Sequence, residues 1–179
     1  MIDTTLELIQ SRGYHGTGLA RITDASGAPR GSVYFHFPGG KDELVAAALD
    51  RVGEEFAGLL EGLLAEGRTA AEIVAAVFDD LAARLEEAGF AAGCAVVAVA
   101  VDAAADNPVL QQSCARVYES WRVILERVLA RDGIPDAARL AGVIVSLVEG
   151  ATTVARARHD VAPLADARAV ALGLVGAGR

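Results

Sequence analysis

The sequence predicts an all-α protein from three observations. Hydrophobic residues make up 53% of the 179 residues, which is enough for a substantial core. Ala is abundant, the chain has only 5 Pro, and the apolar-polar alternation of half-buried strands is scarce. Apolar residues instead recur three and four positions apart in segments that end at Gly or Pro, and about nine helices are expected.

The first helix is expected over residues 2–12, where apolar residues recur at helical spacing, and Gly13 ends it. A short second helix follows Thr17, whose hydroxyl is suited to accept a free backbone N–H as the N-cap. Gly27 can take a positive φ and is expected to break this helix. The pattern therefore predicts two helices followed by a tight turn.

The third helix is expected to begin at Pro29, because the φ angle of proline suits the first helical position. Val33 and Phe37 lie four residues apart and face inward, whereas Arg30 and Tyr34 share a more exposed face. Two short helices joined by a tight turn are typical of a helix-turn-helix, whose second helix enters the DNA major groove.

The chemistry of the third helix agrees with such a contact. Arg30 can reach a base edge or a phosphate, and Tyr34 can donate to a phosphate. Gly31 and Ser32 have small side chains, so the surface that faces the groove can approach the DNA closely. His36 is expected either to contact a phosphate or to cap the helix end.

Charge is unevenly distributed along the chain. The net charge is −8, which argues against nucleic acid binding over the whole surface. Residues 11–41, in contrast, contain four basic residues and one acid, a local charge of +3. Lys41, at the start of the fourth helix, is a candidate phosphate contact, with a plain surface lysine as the alternative. A small basic head on an acidic body is what a confined DNA-contacting surface would require.

The rest of the chain is also expected to be helical. Thr69 is a candidate N-cap, as is Asp106 or Asn107. The predicted domains are a DNA-binding head over residues 1–45 and a regulatory, ligand-binding and dimerisation domain over residues 46–179. The further helices are expected at about residues 41–64, 69–87, 94–103, 108–132, 136–159 and 164–175.

The stretch TGLARITDASGAPRGSVYFHFPGGKDEL resembles the TetR family of transcriptional repressors. The family pattern is matched at Thr17, Gly27, Arg30, Gly31, Ser32, Val33, Tyr34, His36 and Phe37. The resemblance implies that residues at the places of Arg30, Gly31, Ser32, Tyr34, His36 and Lys41 face bases or phosphates, and Thr17 is taken with them as a DNA-binding position. Two departures are the lack of a basic arm before the first helix and Ala28-Pro29 in place of a Ser or Thr cap.

The C-terminal part, with GCAVVAVAVDAA, YESWRVILERVL and LVEGATTVARARHDVAPL, is similar to the LmrA/YxaF-like branch. The branch implies a ligand-responsive repressor. We expect a homodimer that reads a pseudo-palindromic operator in double-stranded DNA and is released by a small molecule.

The middle helices are apolar and carry few polar side chains, which would suit a flat, apolar or aromatic inducer. The same residues could also pack as a solid core. The candidate wall of such a pocket is Phe78, Leu81, Phe90, Cys94, Val97, Val101, Tyr118 and Trp121.

The last two helices are too apolar to be solvated on all sides. Leu140, Ile144, Leu147, Ala151 and Val154 form one stripe, expected on the protein's own core. The residues expected at a dimer interface of four helices are Gly142, Val145, Ser146, Glu149, Thr153 and Leu174. Glu149 is alternatively a hydrogen-bonded carboxylate at the interface rim or a ligand contact.

Other classes of protein receive less support. The chain has three scattered histidines and no nucleophile or metal motif, so no catalytic residue, metal or cofactor is expected. Neither a membrane span nor a signal peptide is predicted, and the two cysteines are expected reduced in the cytoplasm. The alternatives are an enzyme-like small-molecule binder and an all-helical dimeric adaptor that binds no DNA.

Overall fold

The structure, a computed structural model, describes residues 1–176 with the exception of the Arg30 side chain. Within that range the chain is all-α, as the sequence predicts, and contains no strand. The nine helices described are α1 (Ile2–Arg12), α2 (Leu19–Ser26), α3 (Arg30–His36), α4 (Lys41–Ala65), α5 (Ala70–Glu87), α6 (Ala95–Asp102), α7 (Pro108–Arg131), α8 (Ala137–Arg158) and α9 (Ala162–Gly176).

Two helix starts follow the predicted capping chemistry. At the start of α5, the Thr69 hydroxyl accepts the backbone N–H of Glu72, and the Glu72 carboxylate accepts the backbone N–H of Thr69. At the start of α7, the side-chain oxygen of Asn107 accepts the N–H groups of Val109 and Leu110, at 3.1 and 3.2 Å. Both cap predictions are therefore confirmed.

The predicted N-cap of α2 is wrong. Gly18 occupies the N-cap position, in extended backbone, and no side chain caps the helix. The Thr17 hydroxyl instead donates to the Gly13 carbonyl at 2.8 Å, and the Thr17 side chain is 0% exposed. The chain folds back after α1, and the hydroxyl meets a free carbonyl at the end of that helix. The Thr17 side chain is not at the surface, and the DNA contact predicted for Thr17 stays a prediction.

The chain forms two compact units. The first consists of Met1–Gly53 with Gly93–Val117, and the second of Glu54–Ala92 with the residues from Tyr118 onward. The first unit therefore contains α6 and the first part of α7 in addition to the head. These units are defined by contacts within the chain. The boundary predicted near residue 45 divides the chain by function, and it stays a prediction.

The head in the first unit has a small core. Ile22 of α2, Val33 of α3 and Leu44 of α4 are almost completely buried against one another. The partly buried residues that pack on them are Met1, Ile2, Leu8, Leu19 and Phe37. Burial of these side chains fixes α2 and α3 relative to α4, and it leaves the opposite side of α3 facing outward.

The second unit has a much larger core, built mainly from α5, α8 and α9. Phe78, Ile73 and Ile144 are among its fully buried side chains. An ion pair between Arg168 of α9 and Asp79 of α5, at 2.9 Å, lies at its edge. The long α8 packs along α9 and α5, and these contacts leave part of its surface without cover.

The composition of α8 is unusually apolar for a helix with so much exposed surface. Its mean hydropathy reaches 1.4 over 18 residues, and only 28% of that window is buried. By length and composition alone the helix could cross a membrane. An apolar helix that is only partly covered by its own chain needs a further apolar surface to pack against.

Candidate nucleic-acid interface

The helices α2 and α3 form the predicted helix-turn-helix. Gly27 ends α2 with φ of 66°, in the left-handed region, as the sequence predicts. Ile22 of α2 and Val33 of α3 are buried against each other, with relative exposures of 0% and 1%. The buried faces therefore position α3 as an outward-facing recognition helix.

The outward side of α3 carries two large aromatic rings. Tyr34 is 62% exposed and Phe35 is 80% exposed. Gly31 and His36 also lie at the surface. Contact of Gly31, Tyr34 and His36 with DNA stays a prediction, whereas Phe35 was not among the predicted residues. The sequence pattern missed it because it placed Phe35 on neither the buried nor the basic face.

Gly31 has no role in the packing of its own chain. A Cβ atom built at Gly31 would meet no atom within 4 Å, and its backbone is helical with ordinary φ. Neither conformation nor internal space therefore requires glycine at this position. This agrees with the prediction that Gly31 allows an external surface to come close.

The polar residues around α3 are partly engaged within the chain. The Ser32 hydroxyl donates to the Pro29 carbonyl at 2.6 Å, in the first turn of the helix. The end of α3 is closed by the backbone N–H of Phe37, which donates to the Val33 carbonyl. The side chain of Arg30 lies outside the described residues, so its predicted contact with a base or phosphate stays a prediction.

Lys41, at the start of α4, is held by the turn between α1 and α2. Its Nζ donates to the Tyr14 carbonyl at 2.7 Å and lies 3.5 Å from the centroid of the Tyr14 ring. Burial lowers the pKa of Lys41, although Asp42 and Asp102 oppose the shift. Two ammonium protons remain for other acceptors, and the predicted phosphate contact stays a prediction.

Tyr14 connects this lysine to a neighbouring carboxylate. Its hydroxyl donates to Asp42, and the Asn107 amide donates to the other Asp42 oxygen at 2.7 Å. Burial and then the hydrogen bond to Asp42 raise the pKa of Tyr14 to about 12. A single carboxylate therefore links the turn after α1, the start of α4 and the start of α7.

The end of α6 makes a second connection to the same turn. The Asp102 carboxylate accepts the Tyr14 backbone N–H at 2.9 Å, and the Asp102 carbonyl lies 2.8 Å from Nε2 of His15. Gly13, with φ of 69°, leaves the room that the Asp102 carboxylate occupies. Sequence reasoning missed this network because its partners are 27 to 88 residues apart along the chain.

Known proteins resemble the chain over almost its whole length. Residues 1–48 match the family described as bacterial regulatory proteins, tetR family, and residues 70–170 match the C-terminal domain of transcriptional regulators that are LmrA/YxaF-like. The second match alone spans more than half of the chain. The chain belongs to the TetR family.

Relatives and solved structures agree with this assignment. The HTH-type transcriptional regulator Rv0196 of Mycobacterium tuberculosis is 35% identical, over 92% of this chain and 86% of its own length. YxaF of Bacillus subtilis is 30% identical, over 92% and 87%. The crystal structure of a TetR transcriptional regulator from Legionella pneumophila has a TM-score of 0.84 at 25% identity, with 95% and 92% of the two chains covered.

TetR-family regulators bind DNA operators and small-molecule ligands and act as dimers. The present chain is therefore a transcriptional regulator with a helix-turn-helix head, as its sequence predicts. The fold and the family assignment made from the sequence are both confirmed.

The predicted ligand-contacting residues of this TetR-family chain fall in both compact units. Cys94, Val97 and Val101 belong to the first unit, and Val101 of α6 is strongly exposed. Those in the second unit are Phe78, Leu81, Phe90, Tyr118 and Trp121. Phe78 is a fully buried member of the core of the second unit, so it packs there as the alternative interpretation expected. The pocket itself stays a prediction.

An aromatic group surrounds Trp121 in the second unit. Its ring centroid is 4.9 Å from that of Phe56 and 5.6 Å from that of Tyr118, and Trp121 is buried. Phe90, also in this unit, stacks on His159 at 5.4 Å. Phe56 was not predicted from the sequence, although it lies at helical spacing from the apolar residues of α4.

The predicted dimer residues lie on α8 and α9 but not all face outward. Ser146, Thr153 and Leu174 are exposed, Gly142 and Glu149 are half-buried, and Val145 packs against the core of its own unit. Val154 was expected in the core but is 47% exposed. The side of α8 that faces the core is thus rotated by part of a turn from the predicted side. The sequence could not determine this orientation, because a helix this apolar has no polar face.

An exposed apolar face runs along both helices. On α8 it comprises Val143, Ser146, Gly150, Thr153, Val154 and Ala157, and on α9 it includes Ala169, Val170, Gly173 and Leu174. The Ser146 and Thr153 hydroxyls donate to carbonyls one turn earlier in α8. An open groove of about 540 Å³ lies beside the face, lined by Arg139, Gly142, Val143, Ser146 and Leu147.

Proposed function

We propose that this TetR-family protein is a dimeric repressor that binds a pseudo-palindromic operator and is released by an apolar or aromatic small molecule. The observation that carries the DNA-binding part is the outward face of α3. That face combines two exposed aromatic rings with a glycine that the chain itself does not require. Such a surface is suited to close contact with a duplex.

The exposed face of α8 and α9 supports dimerisation through these two helices. Val143, Val154, Val170 and Leu174 are all between 40% and 55% exposed. Small residues between them permit close approach of a second helix pair, and the hydroxyls on the face are already hydrogen-bonded within α8. A second copy of the chain, related by a two-fold axis, would cover both faces at once.

Dimerisation matters because one head buries too little surface to hold a single operator tightly. Two heads on a two-fold axis read two half-sites, whose spacing is set by the dimer. The operator is therefore expected to be a pseudo-palindrome. We place this activity in the cytoplasm, where bacterial DNA is accessible.

The proposed inducer is largely apolar because the predicted contact residues offer few hydrogen-bonding groups. Trp121 and its neighbours Phe56 and Tyr118 form an aromatic cluster in the second unit. A flat aromatic molecule would pack on such rings, with one or two polar groups that fix its orientation. Release of DNA then requires that the inducer bind one conformation of the dimer better than the other.

The DNA-binding proposal is tested on the DNA that adjoins the protein's own gene. Purified full-length protein should retard this DNA and protect a two-fold symmetric footprint, and binding should weaken as salt increases. An adaptor or an enzyme would give neither result. A footprint without two-fold symmetry would contradict the dimeric mode of binding.

The inducer proposal has a separate readout. Hydrophobic aromatic compounds should quench the fluorescence of the single tryptophan, Trp121, and should weaken operator binding. Operator DNA must in turn weaken binding of the same compound by the same factor. A screen in which compounds bind without changing DNA affinity would favour a constitutive repressor.

A further inference from the structure

Phe35 is the most exposed of the large hydrophobic side chains on the outward side of the recognition helix. It is 80% exposed, more than Tyr34 one residue earlier in α3. A phenylalanine ring gains nothing from water and has no hydrogen-bonding atom with which to bind a phosphate. Its exposure on this helix therefore indicates an apolar contact with a partner.

The ring of Phe35 contacts the ring of its neighbour, His36. The Phe35 and His36 rings are 4.9 Å apart and nearly perpendicular, at 89°. Edge-to-face packing of this kind restricts the rotation of both rings. The Phe35 ring therefore has a preferred orientation at the surface of α3.

Gly31 lies one helical turn before Phe35, so both residues are on the same side of α3. A Cβ at Gly31 would meet nothing within 4 Å, so the glycine clears space outside the chain rather than inside it. Gly31 therefore leaves the backbone of α3 accessible next to the exposed ring of Phe35. A partner that fits them must come close to the backbone at Gly31 and present an apolar group to Phe35.

We propose that Phe35 packs against the C5 methyl group of a thymine in the major groove and that Gly31 allows this approach. The thymine methyl is the apolar group that distinguishes base edges in the major groove. Phe35 thereby requires thymine at one symmetric pair of positions in the operator. The proposal rests on the operator binding proposed above and adds a residue that determines specificity.

The test removes the methyl group from the DNA and the ring from the protein. An operator is first selected with the wild-type dimer from a random duplex library. Each symmetric pair of thymines is then replaced by deoxyuridine, which differs from thymidine only in lacking the C5 methyl. Affinities of the wild type and of Phe35→Ala are measured for every such duplex at one salt concentration.

At one thymine pair, the wild type should lose about fourfold in affinity per half-site, or about fifteenfold for the pair, as expected for loss of one buried methyl group. Phe35→Ala should bind the thymine and deoxyuridine operators equally. Phe35→Leu should keep part of the difference, because leucine still offers an apolar surface. Such a cycle isolates the contact from other effects of either change.

Two further variants act as controls. Tyr34→Phe should weaken binding to the thymine and deoxyuridine operators by the same factor, because it removes a hydroxyl and keeps the ring. Gly31→Ala should fold, since the space for its methyl is open, and should bind the selected operator more weakly. Circular dichroism and thermal unfolding verify that the exposed Phe35→Ala variant keeps its fold.

The outcomes separate this proposal from the proposed function. If the wild type selects no preferred duplex, the proposed operator binding has failed. If it selects an operator but no thymine pair loses affinity on replacement, the inference about Phe35 is overturned. It is also overturned if Phe35→Ala remains as sensitive to deoxyuridine as the wild type.

Discussion

Two surfaces of the chain expose large apolar side chains, and they differ in what surrounds those side chains. On α3, Tyr34 and Phe35 project from a short helix in a part of the chain that carries exposed Arg12 and Arg21. On α8 and α9, exposed valines and a leucine alternate with Gly, Ala and Ser over several turns. The first surface is small and basic, whereas the second is long and nearly neutral.

The difference teaches that exposure alone does not identify a partner. A short surface with basic and aromatic residues complements a DNA duplex, whose phosphates are negatively charged and whose major groove exposes small apolar methyl groups. A long surface of small and aliphatic residues complements another helix pair of the same kind. Substitutions on each surface should therefore have effects that the other surface does not share.

The largest expected effect is on the apolar face of α8. Val143→Arg places a charge on a surface that a second copy would bury, and 40% exposure of the valine means that the monomer can accommodate it. Two uncompensated charges per dimer should weaken self-association roughly a hundredfold or more. Sedimentation velocity at micromolar concentration should show monomers, and these should not bind the operator tightly.

A matched control is available on α7. Val123 is 45% exposed and lies outside the α8 and α9 face, so Val123→Arg should leave the dimer intact. Equal weakening by Val123→Arg would remove the distinction between the two surfaces. Unchanged dimers with Val143→Arg would place the interface elsewhere.

The next effect concerns the recognition helix. Arg30→Ala should lower operator affinity roughly tenfold to a hundredfold and relax specificity at one symmetric position, because the variant cannot bind that base in either half-site. Arg84→Ala on α5, where the arginine pairs with Asp80 at the surface, should change neither property. Binding isotherms for operators substituted at each position measure both. An unchanged operator preference would show that Arg30 contacts no base.

A smaller effect is expected for Lys41→Ala. Without its ammonium group the head should bind all sequences more weakly, by roughly threefold to tenfold, and the salt slope should fall by about one unit for each phosphate that is no longer neutralised. Salt titrations of operator and non-operator DNA measure both quantities. If the affinity falls with an unchanged slope, Lys41 acts through its bond to the Tyr14 carbonyl and not through a phosphate.

The smallest effect is that of Tyr14→Phe, which removes the hydrogen bond to Asp42 and should lower the free energy of unfolding by about 1 kcal/mol near neutral pH. The folded pKa of Tyr14 is raised to about 12 from its usual 10.0. The unfolded chain therefore loses this proton first, and the stabilisation disappears as pH rises from about 10 to about 12.

Denaturant unfolding of the wild type and of Tyr14→Phe at several alkaline pH values measures this difference. The advantage of the wild type should shrink as the pH rises above 10.0, the usual pKa of tyrosine. A difference that stays constant over that range would show that the hydroxyl contributes nothing through its proton. Neither dimerisation nor thymine recognition should change.

Much of the fold could be predicted from local sequence because helices have local signals. The caps at Thr69 and Asn107 and the turn at Gly27 followed from single residues at the ends of apolar patterns. Thr17 failed because its hydroxyl had two possible partners, and tertiary packing chose the Gly13 carbonyl. The orientation of α8 failed at Val154, which was expected in the core and is exposed, because both faces of that helix are apolar.

The candidate site was predictable only in part. The motif around Tyr34 placed the recognition helix, because its inward residues have helical spacing. Nothing in the sequence joined Tyr14 to Asp102, since the pair forms only when α6 packs near the turn after α1. Long-range hydrogen bonds of this kind depend on the folded arrangement and have no local pattern.

Gly31 has a consequence for laboratory evolution of this protein. Alanine is a better helix former than glycine, by at most about 1 kcal/mol in the first turn of α3, and nothing in the chain obstructs the added methyl. A selection for heat tolerance alone would therefore favour Gly31→Ala. The survivors would be better folded and worse at the proposed operator binding, so a useful selection must score both properties together.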